Sequence, residues 1–432
     1  MAQIRPFNGI RYASELNAQF ANLIAPPYDV LDEPGKKRLQ NRHPNNIVHV
    51  DLPFMPPKAA GPDALYQQAA STLQAWLGAG VLHRDPRPCL YPYSQTYQHG
   101  GRSFHRRGFI ALVKLSPFGE GEVVPHEQTY KGPIEDRLKL MQHTGVQLSP
   151  IFGLFSDPRN EVTNLLYKNL SRPQLSGTLE DVRNDLWHAN DANTINEVTD
   201  LLKARPVYIA DGHHRYTTAL QYQQMMAQNG PLPVNHPANY CMFVLVGMQD
   251  PGLLILPTHR LIGGMANFDI NRLRAVVGSN FTIDLAQSPP GDTLKLAELV
   301  AHGPVHTFGL YDGRSKQGYI LKLNRHFVLD TLEPKRSQAW RELDVAILQR
   351  YLIDEVIKPT FCGTGEPNRG YTADASAIAG TVDGSVYQIA LLLQATPLHA
   401  LEHLGKQNEV MPQKSTYFFP KLATGMVLNP LQ

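Results

Sequence analysis

The tightest constraint on the fold is a series of β-prone runs joined by glycine turns. Leu90–Tyr97 and Ser103–Leu112 flank His99-Gly100-Gly101. Paired glycines supply the positive φ that a tight antiparallel turn needs, so this stretch predicts a hairpin. Tyr240–Met248 and Leu253–Leu256, separated by Asp250-Pro251-Gly252, predict a second. Val305–Tyr311 and Gly318–Leu323, around Asp312-Gly313, predict a third with a longer loop. Glu122–Val124, Pro206–Ala210 and Val386–Leu393 read as further strands. Helical patterns lie between them. Leu65, Ala69, Leu73, Trp76 and Leu77 recur at helical spacing, and Gly78 or Gly80 can end that helix. Ile134–His143, a segment from His213 or His214 to Gln228, and Leu343–Ile357 are also expected to be helical. Hairpins alternating with helices indicate an α+β fold and argue against a doubly wound parallel sheet.

A chain of 432 residues implies two or three domains. Hydrophobic residues make up 42% and charged residues 18%, enough for a sizeable core and too little charge for a disordered chain. Forty basic residues against 38 acidic ones leave a net charge of +2, so no global footprint for nucleic acid or a membrane surface is present. Cys89, Cys241 and Cys362 form no CxxC pair and are odd in number, which excludes a disulfide framework and a thiolate zinc site. Buried free thiols in a reducing cytosol are the plain reading. The N-terminus lacks the apolar run of a signal peptide, and no stretch is long enough to cross a bilayer. A cytoplasmic protein is therefore expected, with oligomerisation left open.

The segment Tyr208-Ile209-Ala210-Asp211-Gly212-His213-His214-Arg215-Tyr216 carries the strongest chemical signal. Its layout is strand, tight turn, helix start. A helix start presents backbone N–H groups and a positive dipole end, which suits a phosphate. Gly212 lets the backbone approach closely, and Arg215 can grip phosphate with two prongs. His213 and His214 add donors, but adjacent positions do not suit ligation of one metal. Asp211 can cap the helix, or orient a substrate hydroxyl or Mg²⁺. The bland reading is an N-cap beside solvated histidines.

Two further stretches compete with ordinary surface roles. In Val123-Val124-Pro125-His126-Glu127-Gln128-Thr129, Glu127 follows a strand end and can act as a general base. In Met411–Lys421, the two lysines, Lys414 and Lys421, with Ser415-Thr416 can touch phosphate oxygens, or the segment is simply a polar loop that leads into an aromatic strand. Cys362-Gly363-Thr364-Gly365-Glu366 lacks the ending of a phosphate loop and reads as a turn. Thr258-His259-Arg260 offers a cation, with solvation at a strand end as the alternative. Tyr28-Asp29 follows Pro26-Pro27 and either lines an acceptor pocket or closes a turn.

These motifs, together with Arg5-Pro6-Phe7, Ala25–Val30, Glu135-Asp136-Arg137, Ser149–Phe152 and Leu256–Arg260, resemble the DUF1015 family of uncharacterised bacterial proteins along almost the whole chain. The Asp211–Arg215 turn is also similar to the signature of ParB/sulfiredoxin-like proteins, and most of all to free-serine kinases of that fold. The resemblance implies a ParB/sulfiredoxin-like core over residues 106–260, flanked by α/β regions at 1–105 and 261–432. It implies Glu127 as catalytic base, with Asp211 and His214 beside it. It places ATP or ADP phosphates, with Mg²⁺, among Gly212, His213, Arg215, Thr129, Lys414, Ser415 and Thr416. Tyr28, Asp29 and Arg137 are then candidates for the acceptor pocket.

This sequence departs from the compact kinases in its long spacer, residues 128–210, and in the added segments at both ends. It also has His213 where sulfinic acid repair would want a thiol. The expected activity is a kinase of a small hydroxyl compound, serine or a serine-like metabolite, with a place in serine metabolism. The alternative is a ParB-like nucleotide-binding regulator that transfers no phosphate. Near-neutral charge and the lack of a convincing helix-turn-helix weigh against a nucleic-acid partner.

Overall fold

A computed structural model describes residues 3–56, 59–127, 131–203, 205–228, 230–325, 327–382 and 384–432. The chain forms two compact units. One comprises Met1–Pro125, Thr129–Leu254 and Pro420–Gln432; the other comprises His126–Gln128 and Ile255–Phe419. Both mix sheet and helix, so the protein is α+β.

The first unit is built on a mixed sheet. Its strands are β1 (Ile4–Arg5), β2 (Tyr91–His99), β3 (Arg102–Lys114), β4 (Val123–Val124), β5 (Ile151–Phe155), β6 (Leu175–Leu179), β7 (Val182–Leu186), β8 (Val207–Asp211) and β9 (Tyr240–Gly247). They lie in the order β4-β8-β5-β9-β3-β2-β7-β6, with β1 paired to β3. The hairpin expected around Gly100-Gly101 is β2–β3, and both glycines hold positive φ.

The hairpin expected around Asp250-Pro251-Gly252 does not form. Strand β9 already has β3 antiparallel on one edge and β5 parallel on the other, which leaves no edge for Leu254–Leu256. This central strand, Tyr-Cys-Met-Phe-Val-Leu-Val-Gly, is buried along its length, as expected of a strand covered on both faces. Cys241, Phe243 and Leu245 point into one core with Phe109, Ile151, Phe155, Val207 and Ile209. Truncating a side chain such as Phe243 there costs about 3–5 kcal/mol.

Helix α1 (Asp63–Gly78) buries Ala69, Leu73 and Trp76 of the expected face, but Tyr66 is buried in place of Leu65, which is exposed, and Leu77 is half-buried. Helices α2 (Lys131–Thr144) and α3 (His213–Met226) follow. Tyr216 and Ala219 of α3 enter the core beside Phe243. The Tyr216 hydroxyl donates to the Ser116 carbonyl at 2.9 Å and accepts the Ser116 N–H at 3.1 Å, which fixes the first turns of α3.

The second unit carries a sheet of β10 (His259–Gly263), β11 (Phe281–Leu285), β12 (Thr307–Asp312), β13 (Gln317–Leu323), β14 (Asn368–Thr372) and β15 (Ile389–Leu392), ordered β11-β13-β12-β15-β10-β14. The expected hairpin around Asp312-Gly313 is β12–β13. The regular helix expected over Leu343–Ile357 instead becomes π-helical over Ile347–Cys362, with Pro359 inside it. Pro359 lacks a backbone donor and so leaves one backbone bond of this helix unmade. Gly363 then turns the chain at φ 60°, and the Gly365 N–H bonds the Cys362 carbonyl in the turn expected at this glycine pair. Among the described residues, no helix is long and apolar enough to cross a membrane.

Candidate functional site

The site in the first unit begins with an irregular strand end. Strand β8 pairs antiparallel with β5, but its register shifts between Ile209 and Asp211. Such a bulge re-aims the next side chain, here Asp211. Gly212 follows at φ 97°, and α3 starts at His213. A Cβ on residue 212 would lie 3.0 Å from the Arg215 guanidinium, so glycine suits the left-handed conformation and avoids crowding Arg215. The Tyr216 N–H closes the first helical bond to the Gly212 carbonyl at 3.0 Å.

Asp211 is not the helix cap: Gly212 occupies that position, without a side-chain cap bond. The Asp211 carboxylate instead joins two cations. Arg215 donates through Nη2 to Oδ2 at 2.8 Å, and Lys421 Nζ lies 2.7 Å from Oδ1. Arg215 also donates through Nη1 to the Pro150 carbonyl. Burial pushes the Asp211 carboxyl up, but Lys421 and Arg215 outweigh it and hold the group well below the usual carboxylate range. Burial pulls the Arg215 guanidinium down, and the Asp211 charge more than restores it. The pair is therefore ionised at neutral pH. His213 is buried; His214 is half-buried, and its carbonyl accepts the Thr218 hydroxyl at 2.8 Å.

Arg215 also lines a cavity of about 40 Å³ with Tyr28, Asp51, Arg137, Ser149 and Thr218. The structure thus brings Tyr28 and Arg137 together with Arg215. Arg137 is tied into a buried network. It donates to the Asp51 carbonyl at 2.6 Å and to Asp136 Oδ2 at 2.7 Å, and it lies over the Tyr28 ring at 4.2 Å. The Tyr66 hydroxyl donates to Asp136 at 2.6 Å, and that of Ser149 to Asp51 at 3.2 Å. Asp29 is exposed, but its charge reaches Arg215 and Tyr28.

Other expected residues belong to the second unit. Glu127 Oε1 accepts the Ser415 N–H at 3.2 Å and lies 3.7 Å from His126 Nε2. The same His126 nitrogen lies 2.9 Å from the Thr416 hydroxyl. The Ser415 hydroxyl donates to the Pro412 carbonyl, and Lys414 turns the chain at φ 56°. Both hydroxyls expected at phosphate are thus engaged with protein partners around Glu127. Arg260 is not solvated at a strand end. It is buried and donates to the carbonyls of Thr258 at 2.6 Å, Lys414 at 2.9 Å and Gln413 at 3.2 Å. Thr129 lies outside the described residues.

Lys421 closes the Met411–Lys421 motif as the second of its two lysines, after the aromatic run Tyr417-Phe418-Phe419-Pro420; what the sequence does not reveal is its pairing with Asp211. Among the described residues, no three His, Cys, Asp or Glu side chains are gathered to hold a metal ion. Both Asp211 oxygens face cations.

A family model described as a protein of unknown function (DUF1015) matches residues 4–346. Among curated proteins no relative was found. Several solved structures resemble the chain at low identity. A free serine kinase variant in complex with AMP is 11% identical, with 69% of this chain and 83% of that chain covered and a TM-score of 0.35. C-terminally truncated SbnI from Staphylococcus aureus is 10% identical over 74% and 87%, with a TM-score of 0.36. A conserved hypothetical protein from Pyrococcus furiosus is 14% identical over 70% and 89%, with a TM-score of 0.33.

Proposed function

The chain belongs to the DUF1015 family, and from that premise we propose that it is a phosphotransferase that takes a phosphoryl group from ATP or ADP to the hydroxyl of a small molecule, serine or a serine-like metabolite. The observation that carries this reading is the end of β8. There a bulge, the left-handed Gly212, the start of α3 and the Arg215 guanidinium meet within five residues. A helix N-terminus and a two-pronged arginine are complementary to phosphate oxygens, and the partial positive charge of the helix adds to the fixed charge.

The proposed division of labour follows from the chemistry of these groups. Arg215 and the first turn of α3 bind the nucleotide phosphates and steady the charge on the group in transfer. His213 and His214 contribute further donors. Glu127 is the proposed proton acceptor for the attacking hydroxyl, on the ground of the Pro125-His126-Glu127 resemblance and of its orientation by the Ser415 N–H. Mg²⁺, when bound, would supply neutralising charge at the nucleotide phosphates.

The test is phosphoryl transfer itself. The protein is incubated with ATP or ADP, Mg²⁺ and a panel of hydroxyl metabolites, serine first, and phosphate esters are followed by phosphorus NMR. A new ester in one sample is the expected result. Nucleotide binding without transfer to any acceptor would reject the enzyme reading in favour of a regulatory nucleotide-binding role.

A further inference from the structure

Building on the phosphotransferase reading, we infer that Lys421 is a phosphate-binding residue and that Asp211 is its resting counter-ion, which an incoming phosphate replaces. Two cations from distant parts of the chain meet on one carboxylate at the start of α3. The three side chains are 17% (Lys421), 21% (Asp211) and 11% (Arg215) exposed, so a ligand can reach them without unfolding the turn. A phosphate offers the same kind of oxygen acceptor as the Asp211 carboxylate, with more charge and more acceptor atoms.

The way Lys421 is mounted supports a role beyond that of a surface ion pair. Its own carbonyl accepts Gln95 Nε2 at 3.1 Å, and the preceding Pro420 carbonyl accepts the Arg106 guanidinium. The Ala423 N–H donates to the Tyr93 hydroxyl at 3.3 Å. Asn184 Oδ1 accepts both the Tyr93 hydroxyl at 2.6 Å and Gln95 Nε2 at 3.0 Å. Arg106, Gln95, Asn184 and Tyr93 are each exposed by 2% or less. These four buried polar side chains satisfy one another through hydrogen bonds that fix the backbone on both sides of one lysine. A flexible lysine on a loose loop could pair with an aspartate without any of this, and such pairs contribute little to stability. The anchoring makes sense if the ammonium must be in place for a ligand.

The test measures binding of inorganic pyrophosphate, in metal-free buffer with a chelator, and of ADP with Mg²⁺, by calorimetry. The proteins are wild type, Lys421→Met, Lys421→Arg and Asp211→Asn. The expected result is a loss of about 10- to 100-fold in pyrophosphate affinity for Lys421→Met, the value of one charge-assisted contact, with partial rescue by Lys421→Arg. Asp211→Asn should bind pyrophosphate more tightly, by about fivefold, because the competing carboxylate is gone. Equal affinity in wild type and Lys421→Met, or weaker binding by Asp211→Asn, overturns the inference and leaves the phosphate reading of the turn intact. A wild type that binds neither probe overturns both.

Discussion

Lys421 Nζ lies 2.7 Å from Asp211 Oδ1, although 210 residues separate the two in the chain. This ion pair, shared with Arg215, closes the strand–turn–helix element on which the functional reading rests. It also ties the C-terminal segment to the sheet that carries the turn.

The pair has a defined pH signature. The folded-state pKa of Asp211 lies well below its ordinary value of 3.8, despite burial, because Lys421 and Arg215 favour the charged form. Its contribution to stability is therefore fully present above the unfolded-state value and is lost as pH falls toward the folded one. Wild type should exceed Asp211→Asn by about 1–3 kcal/mol between about pH 5 and 8, and the gap should shrink below about pH 4. Urea melts across that range measure it. A gap that widens with acid would mean that the carboxyl is not held in its charged form.

Gly212→Ala should lower stability by about 1–2 kcal/mol, since an L side chain is strained at φ 97°. It should also weaken nucleotide binding, because the new Cβ would displace the Arg215 guanidinium. Urea melts and calorimetry on the same preparation check both effects. Unchanged stability would show that the turn does not require its left-handed geometry.

Arg137→Leu leaves the carboxylates of Asp51 and Asp136, exposed by 4% and 0%, beside an apolar side chain. Removing one partner from a buried charge network typically costs about 3–5 kcal/mol. A thermal melt that shifts by only a degree or two would free Arg137 from this structural role and return it to the acceptor pocket.

Much of this architecture is legible in the sequence, for physical reasons. The Gly100-Gly101 hairpin, helix α1 and the Asp211–Arg215 turn are local patterns whose glycines and periodicity act within a few residues. The misleading signal at Asp250-Pro251-Gly252 is local too: the turn chemistry is present, but β9 has no vacant edge. Lys421 is legible as a possible phosphate contact, but its pairing with Asp211 is not, because that partner is reached only through tertiary structure. Arg106 escapes it because an arginine in a hairpin strand ordinarily faces water, whereas here it is 2% exposed and holds the Pro420 carbonyl. Asp211 reads in the sequence as a helix cap or as a group that orients a hydroxyl or Mg²⁺; its pairing with two cations follows only from the bulge at the end of β8 and from tertiary structure.

Glu127→Gln keeps the shape of the side chain and its acceptor oxygen for the Ser415 N–H while removing the base. Turnover on the identified acceptor should fall by about 10²–10⁴-fold, with nucleotide affinity nearly unchanged. Steady-state kinetics on the variant decide this; full turnover would remove Glu127 from the mechanism.

The most direct test of the central claim is calorimetric titration of wild type and Arg215→Ala with ATP, ADP and CTP in the presence of Mg²⁺, after circular dichroism has established that both proteins are folded. The account requires that wild type binds ATP or ADP and that Arg215→Ala loses at least about tenfold in affinity, as expected for removal of a charge-assisted phosphate contact. Failure of the folded wild type to bind any of the three, or equal binding by the variant, would contradict the placement of nucleotide phosphates at the Asp211–Arg215 turn.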